Sequence, residues 1–464
     1  MSANGTGKRV HFVGIGGIGM SAIARVMMAD GWTVSGSDLR PSLLTAELGS
    51  QGARIFAGHA AGNVGDVDLV VITAAVKPDN PELVEARRRG LPVIKRAAML
   101  GRLMADRIGI AVAGTHGKTT TSSLIAMVLE SDGLDPTILV GGEIVDLGTN
   151  AKRGSGPYMV AEADEYDSSF LELTPHIAVV TNIEAEHLDY YGSLNGVVEA
   201  FRRFLARVPD DGLIIGCGDD PRVRALAADK DGNDIQAEHF ITYGLGDDCL
   251  WQATDIRSNS LGGSNFVAVH GGRRAAEFSL AIPGTHNVLN ALAAAAVASA
   301  LGVDPDVTKQ TLATFRGARR RFEIKGEAAG VTVVDDYAHH PTEIRATLAA
   351  ARGRFGERRL VCVFQPHTFS RTKLLLADFA TCFQQADDVI IVDIYAAREI
   401  NEWGISSADL ASAIEKPHAR YIGELEEAAR VLQRELRAGD VLLTLGAGDI
   451  DSVATKVLEG LTRR

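Results

Sequence analysis

A glycine-rich loop at residues 114–120, GTHGKTT, lies between an apolar segment, IGIAVA, and a predicted helix, TSSLIAMVLE. Backbone N–H groups of such a loop can surround phosphate oxygens, a lysine can place a positive charge at the β- and γ-phosphates, and a neighbouring hydroxyl can bind Mg²⁺. Lys118 and Thr119 are the candidates for the last two roles. The sequence therefore predicts an ATP-type phosphate site formed by Gly114, Thr115, His116, Gly117, Lys118, Thr119 and Thr120.

This loop departs from the usual P-loop pattern, G-x-x-x-x-G-K-[ST], at its first glycine. Val112 stands at that position and the glycine is displaced to Gly114, so the loop can differ in shape. Phosphoryl transfer also needs metal ligands, and hard oxygen donors at strand ends are the expected source. Taken singly, each candidate is more often a surface or capping residue; the candidates are Glu162, Asp164, Glu165, Glu186, His187 and Asp189.

A second glycine cluster, GIGGIG, follows the segment VHFVG near the N-terminus. Glycines there let the backbone approach a diphosphate at a helix N-terminus, and Asp38, at the end of the next strand, could accept a ribose hydroxyl. The pattern is typical of nicotinamide dehydrogenases, but it does not separate a dinucleotide from a UDP-sugar or from simple packing glycines. The predicted contacts are Gly14, Gly16, Gly17, Gly19 and Asp38.

Composition narrows the classes of function. The 464 residues carry a net charge of −12, which disfavours nucleic acid as a partner because a polyanion needs a basic surface. No apolar run is long enough to span a membrane, and the first residues lack the pattern of a signal peptide, so we expect a cytoplasmic protein without membrane contact. The four cysteines are far apart and contain no C-x-x-C pair, which disfavours a disulfide framework or a zinc site.

Short β-branched segments alternate with helical stretches along the chain, which predicts an α/β fold with mainly parallel sheets. The alternation restarts at RIGIAVAG and again after the arginine run at 319–321, so three domains are expected, with joints near residues 106 and 318. Between Cys249 and Leu280 the pattern becomes short alternating segments with glycine turns, which predicts hairpins attached to the second sheet. The predicted domains are 1–106, 107–318 and 319–464.

Five motifs in order give the chain a family resemblance over nearly its whole length: GTHGKTTT at 114–121, EADEYDSSF at 162–170, TNIEAEHLD at 181–189, GTHNVLNALAA at 284–294 and DDYAHHPTE at 335–343. It resembles the Mur ligase family. The opening GIGGIGMS and QPHTFSR at 365–371 are similar to the branch that joins L-alanine to UDP-N-acetylmuramate. The resemblance implies a Rossmann-like UDP-sugar-binding domain, a P-loop ATPase-like central ligase domain and a Rossmann-like C-terminal domain that binds the amino acid.

The resemblance also implies an activity, formation of an amide through an acyl phosphate in peptidoglycan precursor synthesis, with ATP and Mg²⁺. By position, Lys118 and Thr119 would hold the phosphates and the metal. Glu162 and His187 would complete the metal coordination around the reacting centre.

Substrate contacts follow in the same way. Asn287 and Asn290 would meet the adenine, and the first glycine loop would hold the UDP diphosphate. Tyr337, His339 and Arg371 would orient L-alanine, and His339 is also the candidate for accepting the proton of its amine, although it could merely cap the helix near Pro341.

Two departures and three alternatives accompany this interpretation. The stretch VVEAFRRFL contains no lysine where related ligases carry a carbamylated one, which resembles the alanine-adding branch, and Thr368 stands where some members of that branch have arginine. A ligase of the same family with another amine, a nicotinamide oxidoreductase and a nucleotide-gated binding protein without turnover remain open. The sequence does not indicate an oligomeric state.

Overall fold

The structure of the protein, a computed structural model, describes residues 7–40, 42–228 and 239–463. Its strands form three mainly parallel sheets of five, ten and six strands with helices between them, which confirms the predicted three-domain α/β architecture. By packing, the chain divides into two compact units. Unit 1 comprises Met1–Thr254, Val267–Phe278 and Leu289–Ala313, and unit 2 comprises Asp255–Phe266, Ser279–Val288 and Thr314–Arg464. The joints near residues 106 and 318 stay a prediction.

The first sheet has the strand order β3-β2-β1-β4-β5, and all of its pairs are parallel. Strand order reverses at β1, so the loop after this strand lies at the switch point where ligands of open α/β sheets bind. Its strands are β1 (Arg9–Val13), β2 (Thr33–Asp38), β3 (Arg54–Ala57), β4 (Leu69–Ile72) and β5 (Val93–Lys95). Its helices are α1 (Ile18–Ala29), α2 (Leu43–Ser50), α3 (Pro81–Arg88) and α4 (Arg96–Ala105), with a 3-10 helix at Ala61–Val64.

The second sheet contains strands β6 (Ile108–Ala113), β7 (Thr137–Ile144), β8 (Thr149–Lys152), β9 (Tyr158–Glu162), β10 (Ile177–Val180), β11 (Leu213–Cys217), β12 (Phe240–Gly244), β13 (Trp251–Ser258), β14 (Ser264–His270) and β15 (Arg273–Leu280). Their order is β15-β14-β13-β12-β11-β10-β6-β9-β7-β8. The turn between β14 and β15 is Gly271-Gly272, both with positive φ, as a two-residue hairpin turn requires. The predicted hairpin is confirmed at this point.

Helices of this region are α5 (Lys118–Ser131), α6 (Leu188–Tyr191), α7 (Leu194–Leu205), α8 (Pro221–Ala228), α9 (Thr285–Ala300) and α10 (Pro305–Thr314), with a 3-10 helix at Tyr166–Glu172. Strand β6 is central in the sheet and pairs in parallel with β9 and β10. Because parallel strands end at the same edge, the segments after β6, β9 and β10 come together there. These segments are the glycine loop at 114–117, the acidic motif at 162–165 and the motif at 181–187.

The third sheet has the order β16-β17-β21-β18-β19-β20, with β16 antiparallel and the other pairs parallel. Its strands are β16 (Glu323–Ala328), β17 (Val331–Asp336), β18 (Leu360–Phe364), β19 (Asp388–Val392), β20 (Ala419–Gly423) and β21 (Val441–Leu445). Its helices are α11 (Pro341–Phe355), α12 (Phe369–Leu374), α13 (Leu376–Phe379), α14 (Ser407–Ala413), α15 (Leu425–Glu435) and α16 (Asp451–Thr462).

Both faces of this third sheet are covered, since neighbouring residues of one strand belong to different cores: Val334 packs with Leu348 of α11, and Val333 packs with Leu432 of α15. This explains why a strand such as β18, LVCVF, is a continuous apolar run rather than an alternating one. Among the helices of residues 7–40, 42–228 and 239–463, we find none with the length and apolar character needed to cross a membrane.

Candidate active site

The phosphate-type loop after β6 has the geometry that its glycines predict. Gly117 adopts a left-handed conformation, with φ of 82°, and α5 begins at the next residue, Lys118. Gly114 has a φ of 140°, and a Cβ at this position would lie 1.9 Å from Oγ1 of Thr181. Only glycine fits there, because a side chain would collide with the end of β10. The displaced glycine is therefore used to bring the loop against the neighbouring strand.

Lys118 is the most constrained side chain of the loop. Its Nζ donates to the carbonyls of Gly114 at 2.5 Å and Thr115 at 3.2 Å, and to both carboxylate oxygens of Glu165 at 2.8 and 3.0 Å. Sequence reasoning placed Glu165 only among possible metal ligands. The structure makes it the ion-pair partner of the lysine at the mouth of the loop.

Burial opposes the positive charge of Lys118, but the carboxylates of Glu165, Asp164 and Glu162 outweigh it and raise the pKa of the ammonium. For Glu165, burial is the larger effect and raises the pKa of the carboxyl, while Lys118 lowers it. Because several carboxylates surround this one ammonium group, Lys118 is a cation at neutral pH. A fixed cation at the first turn of a helix, beside the helix N-terminus, is suited to phosphate oxygens.

The segment after β10 holds the loop from the other side. Thr115 accepts at its hydroxyl from the backbone N–H of Glu184 at 2.8 Å, and the backbone N–H of His116 donates to Oδ1 of Asn182 at 2.9 Å. The carbonyl of His116 accepts from Thr181 at 2.5 Å and from the Asn182 amide at 3.0 Å. Sequence reasoning did not assign roles to Thr181, Asn182 and Glu184. The signal available was a polar Thr-Asn pair directly after an apolar strand.

Glu162 and Thr119, two of the predicted metal ligands, are brought together through Ser122 of α5. The Ser122 hydroxyl donates to the carbonyl of Thr119 at 3.1 Å and lies 3.5 Å from Oε1 of Glu162. The same Oε1 accepts from the backbone N–H of Gly141 at 2.5 Å. The carboxylate at the end of β9 is thereby oriented towards the first turn of α5, where Thr119 is 6% exposed.

His187, the third predicted ligand, has a left-handed backbone with φ of 54° and precedes α6. Its ring packs edge-on against Tyr166, with centroids 4.9 Å apart, and the Tyr191 hydroxyl donates to the carbonyl of Glu165. These contacts place the His187 segment next to the Glu165–Tyr166 turn.

The other acidic candidates have separate contacts. Asp164 pairs with Arg96 at 3.2 Å, and the backbone N–H of Glu186 donates to the carbonyl of Glu184. The side chain of Asp189 lies outside the part of the chain that the structure describes.

The two asparagines predicted to meet adenine lie on α9. Asn290 accepts at Oδ1 from the hydroxyl of Thr121 at 3.1 Å, and a Cβ on Gly117 would come within 2.7 Å of the same oxygen. It therefore lies directly beneath the turn that opens α5. In unit 2, the side chain of Asn287 donates to the carbonyl of Pro283 at 2.7 Å.

The first glycine loop is held by strand β2. The backbone N–H groups of Gly14 and Ile15 donate to the carbonyl of Ser37 at 2.8 and 3.0 Å. The Gly16 N–H donates to Oδ2 of Asp38 at 2.9 Å. The carboxylate predicted to bind a ribose thus also anchors the loop itself. Gly17 precedes the first turn of α1, and Gly19, in that turn, faces Arg96, so a side chain there would press on the guanidinium.

A buried polar network lies beneath this loop, and sequence reasoning missed it entirely. The side chain of Glu82 is fully buried, yet it accepts from Ser37 at 2.6 Å, lies 2.9 Å from Nδ1 of His59, and accepts from Asn63 at 2.7 Å. Nε2 of His11 lies 3.6 Å from the other side of the carboxylate. Ser37 therefore joins the buried charge to the glycine loop through its own carbonyl.

The residues predicted to orient the amino acid are found together in unit 2. Nδ1 of His339 lies 2.9 Å from the carbonyl of Tyr337 and 3.2 Å from a carboxylate oxygen of Glu343. Both partners are acceptors, so Nδ1 carries the proton and Nε2 is the basic nitrogen. His339 is not the helix cap, because His340 and Glu343 form the capping box of α11.

Arg371 belongs to the same group. Its Nη1 lies 2.7 Å from Nδ1 of His367, whose ring packs edge-on against His339 with centroids 5.6 Å apart. Thr368 has a φ of 65°, and its hydroxyl accepts from the backbone N–H of Arg371 as the cap of α12. Tyr337 lies under the guanidinium of Arg320, whose Cζ is 5.1 Å from the ring centroid. The sequence did not single out His367, which connects Arg371 to His339.

Three family models match successive parts of the chain. The Mur ligase family, catalytic domain, matches residues 9–108; the Mur ligase middle domain matches residues 112–298; and the Mur ligase, glutamate ligase domain, matches residues 320–448. The chain belongs to the Mur ligase family.

The similarity to other Mur ligases extends over almost the whole chain. The UDP-N-acetylmuramate–L-alanine ligase of Geobacter sp. (strain M21) is 50% identical and covers 97% of both chains. The crystal structure of the UDP-N-acetylmuramate-alanine ligase of Thermotoga maritima is 33% identical, with a TM-score of 0.82 over 97% of this chain and 98% of that one. A murein peptide ligase of Psychrobacter arcticus is 26% identical, with a TM-score of 0.71 over 98% and 99%.

Two of the predicted groups are thus assembled in this Mur ligase. In unit 1, the loop around Lys118 lies with Glu162 and the His187 segment. In unit 2, Tyr337, His339 and Arg371 lie together around His367.

Proposed function

We propose that this chain joins L-alanine to the carboxylate of UDP-N-acetylmuramate, with conversion of ATP to ADP and phosphate, in the synthesis of peptidoglycan precursors. The proposal rests on the phosphate loop with the half-buried cation Lys118 at the start of α5. It is supported by the named activity of the relative that is 50% identical. Its substrates and ATP point to the cytoplasm as the place of action.

Carboxylates do not react with amines directly, because the leaving group would be oxide. Transfer of the γ-phosphoryl group to the carboxylate gives an acyl phosphate, and attack by the amine then releases phosphate and forms the amide. Negative charge accumulates on the transferring group in the first step. We infer that Lys118 stabilises this charge, with the backbone N–H groups of Gly117 and of the first turn of α5 binding the phosphates. The N–H groups of Thr115 and His116 donate to Asn182, so these two residues hold the shape of the loop.

The donors around the loop fit a magnesium ion. A carboxylate (Glu162), a hydroxyl (Thr119) and an imidazole (His187) would hold it, and the hydrogen bond from Gly141 fixes the carboxylate at the end of β9. The bound ion would neutralise charge on the phosphates during transfer. Lys118 and the loop amides bind and orient the phosphates from the protein side.

The amine of L-alanine must lose a proton before it attacks, since most of it is ammonium at neutral pH. Nε2 of His339 is the proposed proton acceptor, because the carbonyl of Tyr337 and the carboxylate of Glu343 hold the proton on Nδ1. Glu343 also stabilises the imidazolium that forms, as the acid does in an Asp-His pair. Tyr337 and Arg371 would position the amino acid, and Gly14, Gly16, Gly17, Gly19 and Asp38 would bind the UDP diphosphate and ribose.

Phosphate release tests this proposal. Purified protein is given ATP, Mg²⁺ and UDP-N-acetylmuramate with L-alanine, glycine, L-serine, D-glutamate or a murein peptide in turn, and the product is weighed by mass spectrometry. We expect release with L-alanine and a product heavier by one alanine residue. The Lys118→Ala variant is the control for background phosphatase.

Other outcomes distinguish the alternatives. Release with the murein peptide and not with L-alanine would assign the chain to another ligase of the family. Binding of ATP without release for any amine would favour a nucleotide-gated binding protein. NADH binding at the first glycine loop, with no ATP turnover, would favour an oxidoreductase.

A further inference from the structure

Unit 2 contains a cavity of about 390 Å³ whose lining includes none of Tyr337, His339 and Arg371. Pro283, whose carbonyl accepts from Asn287, forms part of its wall. Its volume is within the range of small-molecule sites. One wall is the face of α11 formed by Ala346, Ala349 and Ala350, whose small side chains leave the space open. The turn that precedes β14 also lines it, with Asn259 and Gly262.

A guanidinium without an acidic partner projects into this space. Arg354, at the end of α11, is half-buried and donates from Nη1 to the carbonyl of Gly262 at 2.7 Å. Within residues 7–40, 42–228 and 239–463, no carboxylate forms an ion pair with it. Among the described residues that line the cavity, none is acidic. A partly desolvated cation with one carbonyl partner retains donors for an anion.

The remaining lining residues complete a surface with both polar and apolar character. His286 lies beside Gly284 at the start of α9, and burial, partly offset by the charge of Glu343, lowers its pKa to about 4. It is therefore neutral at neutral pH, so that Arg354 supplies the net charge of the cavity. The alanine wall can take an apolar body at the same time as the guanidinium takes an anionic group.

We propose that this cavity binds a small organic anion, with its carboxylate or phosphate on Arg354 and its apolar body against Ala346, Ala349 and Ala350. The guanidinium can form two parallel hydrogen bonds to either group, so the ligand is defined by its planar or tetrahedral oxyanion. All of its lining residues belong to unit 2.

Calorimetric titration of the full chain tests the proposal with three probes of similar size: 4-phenylbutyrate, phenyl phosphate and the neutral 4-phenylbutan-1-ol. We expect one or both anions to bind and the alcohol to bind about tenfold more weakly or not at all, the equivalent of one charge-assisted hydrogen bond. The stronger anion identifies the preferred group. Arg354→Gln should lower its affinity by a similar factor, whereas Arg273→Gln, an exposed arginine outside the cavity, should not.

A second pair of variants tests the position. Ala349 is exposed on α11, so Ala349→Phe can fill the mouth of the cavity without disturbing the core, and Ala349→Ser is its matched control. Loss of binding in the first variant and retention in the second support the site. Equal affinity for the alcohol, binding unchanged by Ala349→Phe, displacement of the probe by ADP, or no binding at millimolar concentration would each overturn it.

Discussion

Replacement of Glu82 by glutamine is the sharpest test of how the first glycine loop is held. Burial works against the charge of Glu82, yet interactions with His11, Ser37 and Asn63 outweigh it and lower the pKa of the carboxyl from 4.5 to about 2. A change of one pKa unit corresponds to about 1.4 kcal/mol. The lowered pKa of Glu82 therefore means that its ionised form stabilises the folded domain by roughly 3 kcal/mol at neutral pH. Glu82→Gln removes this charge and turns an amide N–H₂ towards groups that already donate, so we expect a similar loss of stability.

The pH dependence has a definite sign. Because the pKa of Glu82 is lower in the folded state, its contribution is present above pH 4.5 and is lost as pH falls from 4.5 towards 2. The difference between wild type and Glu82→Gln should therefore be largest near neutral pH and should shrink below pH 4.5.

Urea unfolding followed by the fluorescence of Trp32 isolates the domain concerned, in a background where Trp251 and Trp403, the other two tryptophans, are replaced by phenylalanine. Glu85→Gln on the same helix is the matched control, because that carboxylate is only partly buried and pairs with Arg88 along the helix; we expect a much smaller shift of its midpoint. An unchanged midpoint for Glu82→Gln at neutral pH, or a deficit that persists undiminished at pH 3, would refute the reasoning.

Three further outcomes follow from the site. Lys118→Ala should reduce turnover by roughly 10²- to 10³-fold, as loss of a charge-stabilising donor does, with the fold retained; phosphate release measures it. His339→Gln should lower kcat about 10²-fold, since the base is lost, with a smaller effect on the KM for ATP. Gly114→Ala should lower the free energy of unfolding by about 2 kcal/mol and weaken ATP binding, because its Cβ would meet Thr181; denaturation and ADP titration measure these effects.

Each of these three predictions has its own control. Lys118→Arg keeps the charge, and undiminished turnover in Lys118→Ala would remove the lysine from the mechanism. For His339, partial recovery of the variant at higher pH, where free L-alanine amine is abundant, separates a proton acceptor from a structural residue; a pH profile parallel to that of wild type would contradict the base. If Gly114→Ala costs as much stability in a Thr181→Ala background as in wild type, the collision is not the cause.

The local chemistry of the chain was predictable from its sequence because it is carried by contiguous residues. The loop around Lys118 needs only glycines before a lysine and a hydroxyl at a helix start, and the strands need only apolar β-branched runs. The Gly271-Gly272 turn likewise indicates its hairpin through two adjacent residues. Motifs in a constant order then indicated the family.

Tertiary structure alone decided which distant groups meet. Glu165 pairs with Lys118, Asn182 holds His116, and Glu82 reaches Ser37 because parallel strands and their loops end at a common edge, a consequence of strand order that no local pattern contains. Burial also depended on the tertiary structure. In the segment NPELVEARR the sequence indicates an exposed glutamate on a helix, and only the packing shows that Glu82 is buried and charged. Sequence specifies the reactive groups, whereas their pairing and their pKa values depend on contacts between residues far apart in the chain.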